Sequence, residues 1–174
     1  MSLTENKDLI RRYVQAIDEN ATSDWSVLDD YIAEDFVAHN PLIPGLSLDR
    51  EGIKQGAEAF RVAAPGSTHE FRMQIAEGDL VASLIVGRGL HAGELMGIPA
   101  TNKEVETEGV VIHRIRDGKI VEYWSVTDVA RVLQQYAGRP REYCPPVPAL
   151  NGKLGLLCRR VGRRDIASAP CEPH

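Results

Sequence analysis

A chain of 174 residues, 43% of them hydrophobic, can bury roughly 70% of its unfolded surface, enough for one core without disulfide support. Its net charge of −5 is unevenly spread: residues 1–138 hold 13 Lys/Arg against 22 Asp/Glu, and residues 139–174 hold 7 against 3. An acidic body carries no electrostatic footprint for a phosphate backbone, which argues against nucleic acid as a partner of the folded part.

In chain order, Leu9, Ile10, Tyr13, Val14 and Ile17 recur at helical spacing, and the Thr4 hydroxyl is placed to cap the free amides in front of them. A shorter helix is expected from about Asp24 to Tyr31, with Trp25, Leu28 and Ile32 on one side. DFVAHN, residues 35–40, reads as a brief strand closed by Pro41. A third helix opens near Asp49, runs through Ile53, Ala57 and Phe60, and stops at Pro65 and Gly66.

The texture then changes to strands. HEFRMQIAE, residues 69–77, sets Phe71, Met73 and Ile75 on one face by period-2 alternation, and Gly78 and Asp79 turn the chain. LVASLIVGR, residues 80–88, is apolar on both faces and is expected at the centre of a sheet. A third long strand ends near Arg116, where Asp117 and Gly118 turn it into IVEYWSVT. VARVLQQYAG forms a last helix ending at Gly138. Helices that do not alternate with the long strands predict an α+β fold with an antiparallel sheet.

Residues 139–174 form a separate Pro/Arg-rich tail that is expected to be largely disordered. Cys144, Cys158 and Cys171 all lie there, odd in number and without CxxC spacing, and read as free thiols in a reducing compartment. No apolar run reaches the roughly 20 residues of a membrane span, and the polar, acidic start MSLTENKDLIRR is unlike a signal peptide. The expected location is the cytoplasm, with no membrane contact. The chain has no GxGxxG, Walker, HExxH or GxSxG motif, so neither a cofactor nor a metal is called for.

Three segments together, HNPLIPG at 39–45, GLHAGELMGIPATNKEV at 89–105 and IRDGKIVEYWSVTDVARVLQQYAG at 115–138, resemble the SnoaL-like polyketide cyclase family. The resemblance covers about residues 5–138. It implies a curved antiparallel sheet wrapped against helices into a cone-shaped barrel with an apolar pocket. It also implies a dimer, and ring closure by an intramolecular aldol reaction without metal or cofactor. In such cyclases an aspartate on the strand after the DGK turn takes the proton, with histidines around it. The matching positions here are Ser125 for the aspartate and Tyr123 and Val111 for two histidines. A serine with an ordinary hydroxyl is no general base near neutral pH, so the base must come from elsewhere.

Alternation puts Tyr123, Ser125 and Thr127 on one side of their strand and Trp124, Val126 and Asp128 on the other. Asp128 is therefore either a helix cap or, if the strand end bulges, a catalytic acid. The candidate catalytic residues are Asp128, His39 and Tyr123, the last as an oxyanion donor. Asn40, His91, Trp124 and Ser125 are candidates for substrate binding, each with a plainer reading as turn, surface or packing residue. His113 reads as a core or interface histidine. Three functions follow: a cofactor-independent acid/base enzyme on a hydrophobic carbonyl compound, of cyclase or isomerase type; a hydroxylase or epoxide-opening relative; or a noncatalytic small-molecule-binding or assembly domain. Apolar residues at Val110, Ile112 and Val121, on strands whose other face is also apolar, predict a homodimer.

Overall fold

The computed structural model describes residues 2–41 and 43–137. The predicted tail, its three cysteines and Gly138 lie outside the described residues.

Helix α1 (Leu3–Glu19) begins at Ser2, not Thr4. The Ser2 hydroxyl accepts from the Glu5 amide at 3.2 Å while the Glu5 carboxylate accepts from the Ser2 amide at 2.6 Å, a reciprocal cap that satisfies two free donors. Its buried stripe is Leu9, Ile10, Tyr13 and Val14, joined by Asn6. The expected second helix is only a 3₁₀ turn, Ser26–Asp30. The amides ahead of it are taken by Thr22 and Asp24 side chains, which compete with helix propagation. Helix α2 (Arg50–Ala63) is capped by Asp49, whose Oδ1 accepts from the Gly52 amide at 3.0 Å. Gly52 is obligatory, because a Cβ there would lie 1.9 Å from the Ser47 carbonyl oxygen.

Five strands form one curved, open sheet in the order β1-β5-β4-β3-β2. They are β1 (Ile32–Ala38), β2 (Thr68–Glu77), β3 (Leu80–Leu90), β4 (Glu104–Arg116) and β5 (Lys119–Thr127). The four long strands make the predicted antiparallel meander. Asp117 and Gly118, with φ of 52° and 77°, supply the two left-handed residues that a tight hairpin requires. Three expectations need correction. The sheet is mixed, because β1 runs parallel to β5, and it does not close into a barrel. Met73 and Ile75 do not share a face with Phe71: a bulge between Phe71 and Met73 reverses the parity, so Phe71 packs on the core while Met73 and Ile75 are exposed.

Helix α1 packs on β2 and β3, α2 on β1, and α3 (Val129–Ala137) on β4. One core cluster lies under α1, around Ile10, Leu28, Ile32, Val81 and Ile120. A second lies at the other end, where Val132 and Tyr136 of α3 meet Ala63, Leu95 and Val105.

Candidate functional site

The inner face of the sheet and the two long helices enclose a cavity of about 270 Å³. Its apolar wall comes from Val14 of α1, Ile53, Ala57 and Phe60 of α2, and Ile85 and Val111 of the sheet. Alternation along β4 and β5 aims His113, Tyr123, Ser125 and Thr127 into it. In register, Val111 faces Ser125 and His113 faces Tyr123.

At one end, His113 lies edge-on to Tyr13 at 5.9 Å and to Tyr123 at 5.6 Å between ring centroids. His113 is fully buried, and neither ring nitrogen has a partner among the described residues. Burial pushes its pKa down to about 3, so it is a neutral imidazole at physiological pH. Burial pushes both tyrosines the other way, a shift that a hydrogen bond with Ser125 partly offsets at Tyr123. This end of the cavity offers neutral hydrogen-bonding groups and no anion.

Of the residues proposed from sequence, Tyr123 and Ser125 line the cavity, and the structure brings them together there. Asn40 acts one step back. Its side chain pairs with the Ser125 backbone in both directions, accepting from the amide at 2.8 Å and donating to the carbonyl, and so extends the β1 pairing past the strand's end. His39 and Trp124 are off the cavity, on the outer face, stacked at 4.5 Å and 7°. His39 Nε2 lies 2.8 Å from Glu122. The Glu122 carboxyl is held below its ordinary range by His39 and by Arg114. His91 is buried behind the lining. Its Nδ1 accepts from the Thr101 amide at 3.3 Å, and its ring lies 4.2 Å from that of Tyr136. Asp128 also lies outside the cavity lining, and its Oδ1 accepts from the Arg131 amide at 3.0 Å at the start of α3.

One arrangement was not read from the sequence. His69 of β2 lines the cavity, and Asp18 of α1 holds it twice, accepting from the His69 amide at 2.9 Å and lying 2.6 Å from ring Nδ1. The only sequence signals were the shared parity of His69 with Phe71 and the place of Asp18 beside Ile17, at the edge of the buried stripe. Among the described residues no three His, Cys, Asp or Glu side chains converge to hold a metal. No described helix is long and apolar enough to cross a membrane.

With this geometry in hand, comparison with known proteins is specific. The SnoaL-like polyketide cyclase family matches residues 7–136. The aklanonic acid methyl ester cyclase DauD of Streptomyces sp. (strain C5) is 30% identical over 153 residues, covering 83% of this chain and 85% of that protein. The nogalonic acid methyl ester cyclase of Streptomyces nogalater is 28% identical over 123 residues, covering 70% and 90%. Among solved structures, IdmH of Streptomyces antibioticus, a proposed polyketide cyclase, superposes with a TM-score of 0.65 at 32% identity, covering 76% and 98%. AclR of Streptomyces galilaeus, a proposed hydroxylase, gives 0.69 at 27% identity, covering 80% and 85%. The chain belongs to the SnoaL-like polyketide cyclase family.

Proposed function

We propose that this protein is a polyketide cyclase that closes a ring in a hydrophobic carbonyl compound by intramolecular aldol addition, using acid/base groups alone. The observation that carries the reading is a cavity with an apolar wall and a row of neutral imidazole and hydroxyl groups, set in the fold of a cyclase family. An aldol closure needs a base at a carbon flanked by carbonyls and donors for the enolate oxygen, and no electrons are exchanged. Tyr123, with its phenol kept protonated by burial, suits the donor role, and Asn40 fixes the backbone of Ser125 beside it. The working form is a cytoplasmic homodimer acting on a small molecule, with neither nucleic acid nor membrane as partner.

The test uses the substrate named for the curated relatives. Purified protein treated with a chelator is incubated with aklanonic acid methyl ester and followed by liquid chromatography and mass spectrometry. A product of unchanged mass and new retention, carrying one ketone fewer, is the expected result. Unchanged starting material rejects this reading for that ester. Ser125 at the family's acid position favours one second reading, redirection toward hydroxylation, which with dioxygen and a two-electron reductant added would instead raise the product mass by one oxygen.

A further inference from the structure

We propose that His69 is the general base of this enzyme and Asp18 its positioning residue, with the reacting carbon seated over Gly87. The proposal rests on the cyclase reading above and relocates its base from β5, where Ser125 stands, to the pair formed by β2 and α1.

The other lining groups are poor bases. His113 is held neutral with a pKa of about 3, which leaves it a feeble proton acceptor. The phenols of Tyr13 and Tyr123 are pushed up, away from the phenolate form. Ser125 and Thr127 are ordinary hydroxyls. His69 differs because a carboxylate accepts from its Nδ1 side at 2.6 Å. That contact places the ring proton on Nδ1 and leaves the lone pair on Nε2, which has no partner among the described residues. The second bond, from the His69 amide to the other Asp18 oxygen at 2.9 Å, fixes the carboxylate, and through it the plane of the imidazole.

The imidazole edge formed by Cδ2 and Nε2 lies over the bare backbone of Gly87, 3.3 Å and 3.4 Å from where a Cβ would sit. His69, Gly87 and Thr107 are cross-strand neighbours on β2, β3 and β4, and all three line the cavity. The point where a Cβ of residue 87 would sit is 3.4 Å from His69 Nε2 and 2.7 Å from Thr107 Oγ1. Those two atoms are therefore at most about 6 Å apart, the sum of the two distances. They flank the backbone that glycine leaves bare, and because the Cβ position is only 2.7 Å from Thr107 Oγ1, a substrate carbon over Gly87 requires the threonine side chain to turn aside. Thr107 Oγ1 is only weakly engaged, 3.5 Å from the Gly87 carbonyl, so it can turn toward a substrate oxygen.

The step balances without any co-reactant. Nε2 takes a proton from the carbon between two carbonyls, and the C–H electron pair becomes the enolate. The Thr107 hydroxyl donates to the developing oxyanion. The enolate carbon then bonds to a second carbonyl carbon of the same molecule, and the alkoxide formed recovers the proton from His69. Asp18 stabilises the imidazolium in between.

Two probes separate this proposal from the function it rests on. With aklanonic acid methyl ester, His69→Gln is expected to lower kcat at least about 100-fold with KM within about threefold. Asp18→Ala should lower kcat with KM again unmoved, a split that general loosening of the fold would not give. The second probe is 5-nitrobenzisoxazole, whose ring opens when a base takes its C3 proton: the C–H pair forms the nitrile as the N–O bond breaks and phenolate leaves. Wild-type protein should accelerate this opening over buffer, and His69→Gln should abolish the acceleration. Gly87→Ala, which keeps both partners of the pair but puts a Cβ between Nε2 and Thr107 Oγ1, should suppress it as well and covers the case of a poorly folding His69 variant. If the ester is untouched while 5-nitrobenzisoxazole opens in a His69-dependent way, the substrate reading fails and the base assignment stands. Wild-type rates in His69→Gln with either probe, or a wild type no faster than buffer with 5-nitrobenzisoxazole, overturn the assignment.

Discussion

A fully buried imidazole with no partner among the described residues leaves a thermodynamic trace. The pKa of His113 falls from 6.5 to about 3 on folding, so between those values the unfolded chain binds a proton that the folded chain refuses. The neutral-imidazole contribution is complete above pH 6.5 and is lost as pH falls toward 3, at about 1.4 kcal/mol per pH unit. At pH 5 the loss from this residue is about 2 kcal/mol. Urea unfolding at pH 7 and pH 5 should show the drop in the wild type and not in His113→Leu; equal drops in both would remove His113 as the cause. Asp128 is the opposite kind of residue, a surface cap. Asp128→Asn should keep the wild-type unfolding midpoint and turnover, whereas Asp128→Ala should lose about 0.5–2 kcal/mol of stability; a collapse of turnover in the asparagine variant would return this acid to the catalytic site. Its cap and the inward parity of Tyr123, Ser125 and Thr127 were legible because both follow from neighbours in sequence. The pairing of Asp18 with His69 was not, because 51 positions separate them and only the docking of α1 on β2 brings them together.

Between elements, local signals succeeded and distant pairings did not. The 117–118 turn, the Asp49 cap and the long strands were readable because each is set by a few adjacent residues. The parallel alignment of β1 with β5 was not, since side-chain alternation is identical in either direction and α2 and three long strands lie between them. The bulge at Phe71/Met73 was equally silent, although it decides which residues of β2 face the cavity. Asn40 bears on this joint. After β1 ends at Ala38, the His39 amide still donates to the Tyr123 carbonyl at 2.9 Å, and then the Asn40 side chain substitutes for the next strand residue. Asn40→Ala would strip two backbone groups of buried Ser125 of their partners. It should lower unfolding free energy by about 2 kcal/mol, within the usual penalty for orphaned buried polar groups. Urea denaturation checks this, and an unchanged midpoint would mean that the clamp contributes nothing at this edge.

At the scale of the whole molecule, the unexplained surface is the outer face of the sheet. Register aligns Met73, Leu84, Val110 and Val126 in one cross-strand row and Ile75, Ala82, Ile112 and Trp124 in the next. Met73, Ile75, Val110 and Val126 are 54%, 58%, 42% and 71% exposed. Val121, expected on this face, is instead buried; alternation gives it the parity of Tyr123 and Ser125, on the opposite face from Trp124 and Val126. The two apolar rows are bordered on one side by Arg88 with Glu70 and Glu106, and on the other by Arg114 with Asp79 and Glu122. An apolar centre with a rim of both charge signs on either side is self-complementary: a twofold axis through it lays row on row and lets arginines meet carboxylates across the seam. A second copy of this chain is therefore the expected occupant, and the cavity, which opens to the other face of the sheet, is left free. Light scattering at micromolar concentration should give twice the chain mass of 19.2 kDa. Val126→Lys should give a single chain mass with the unfolding midpoint of the monomer intact, because a side chain already 71% exposed contributes little to its own subunit. A wild-type monomer would mean that this face takes no second copy, and a lysine variant that remains dimeric would place the contact on another surface.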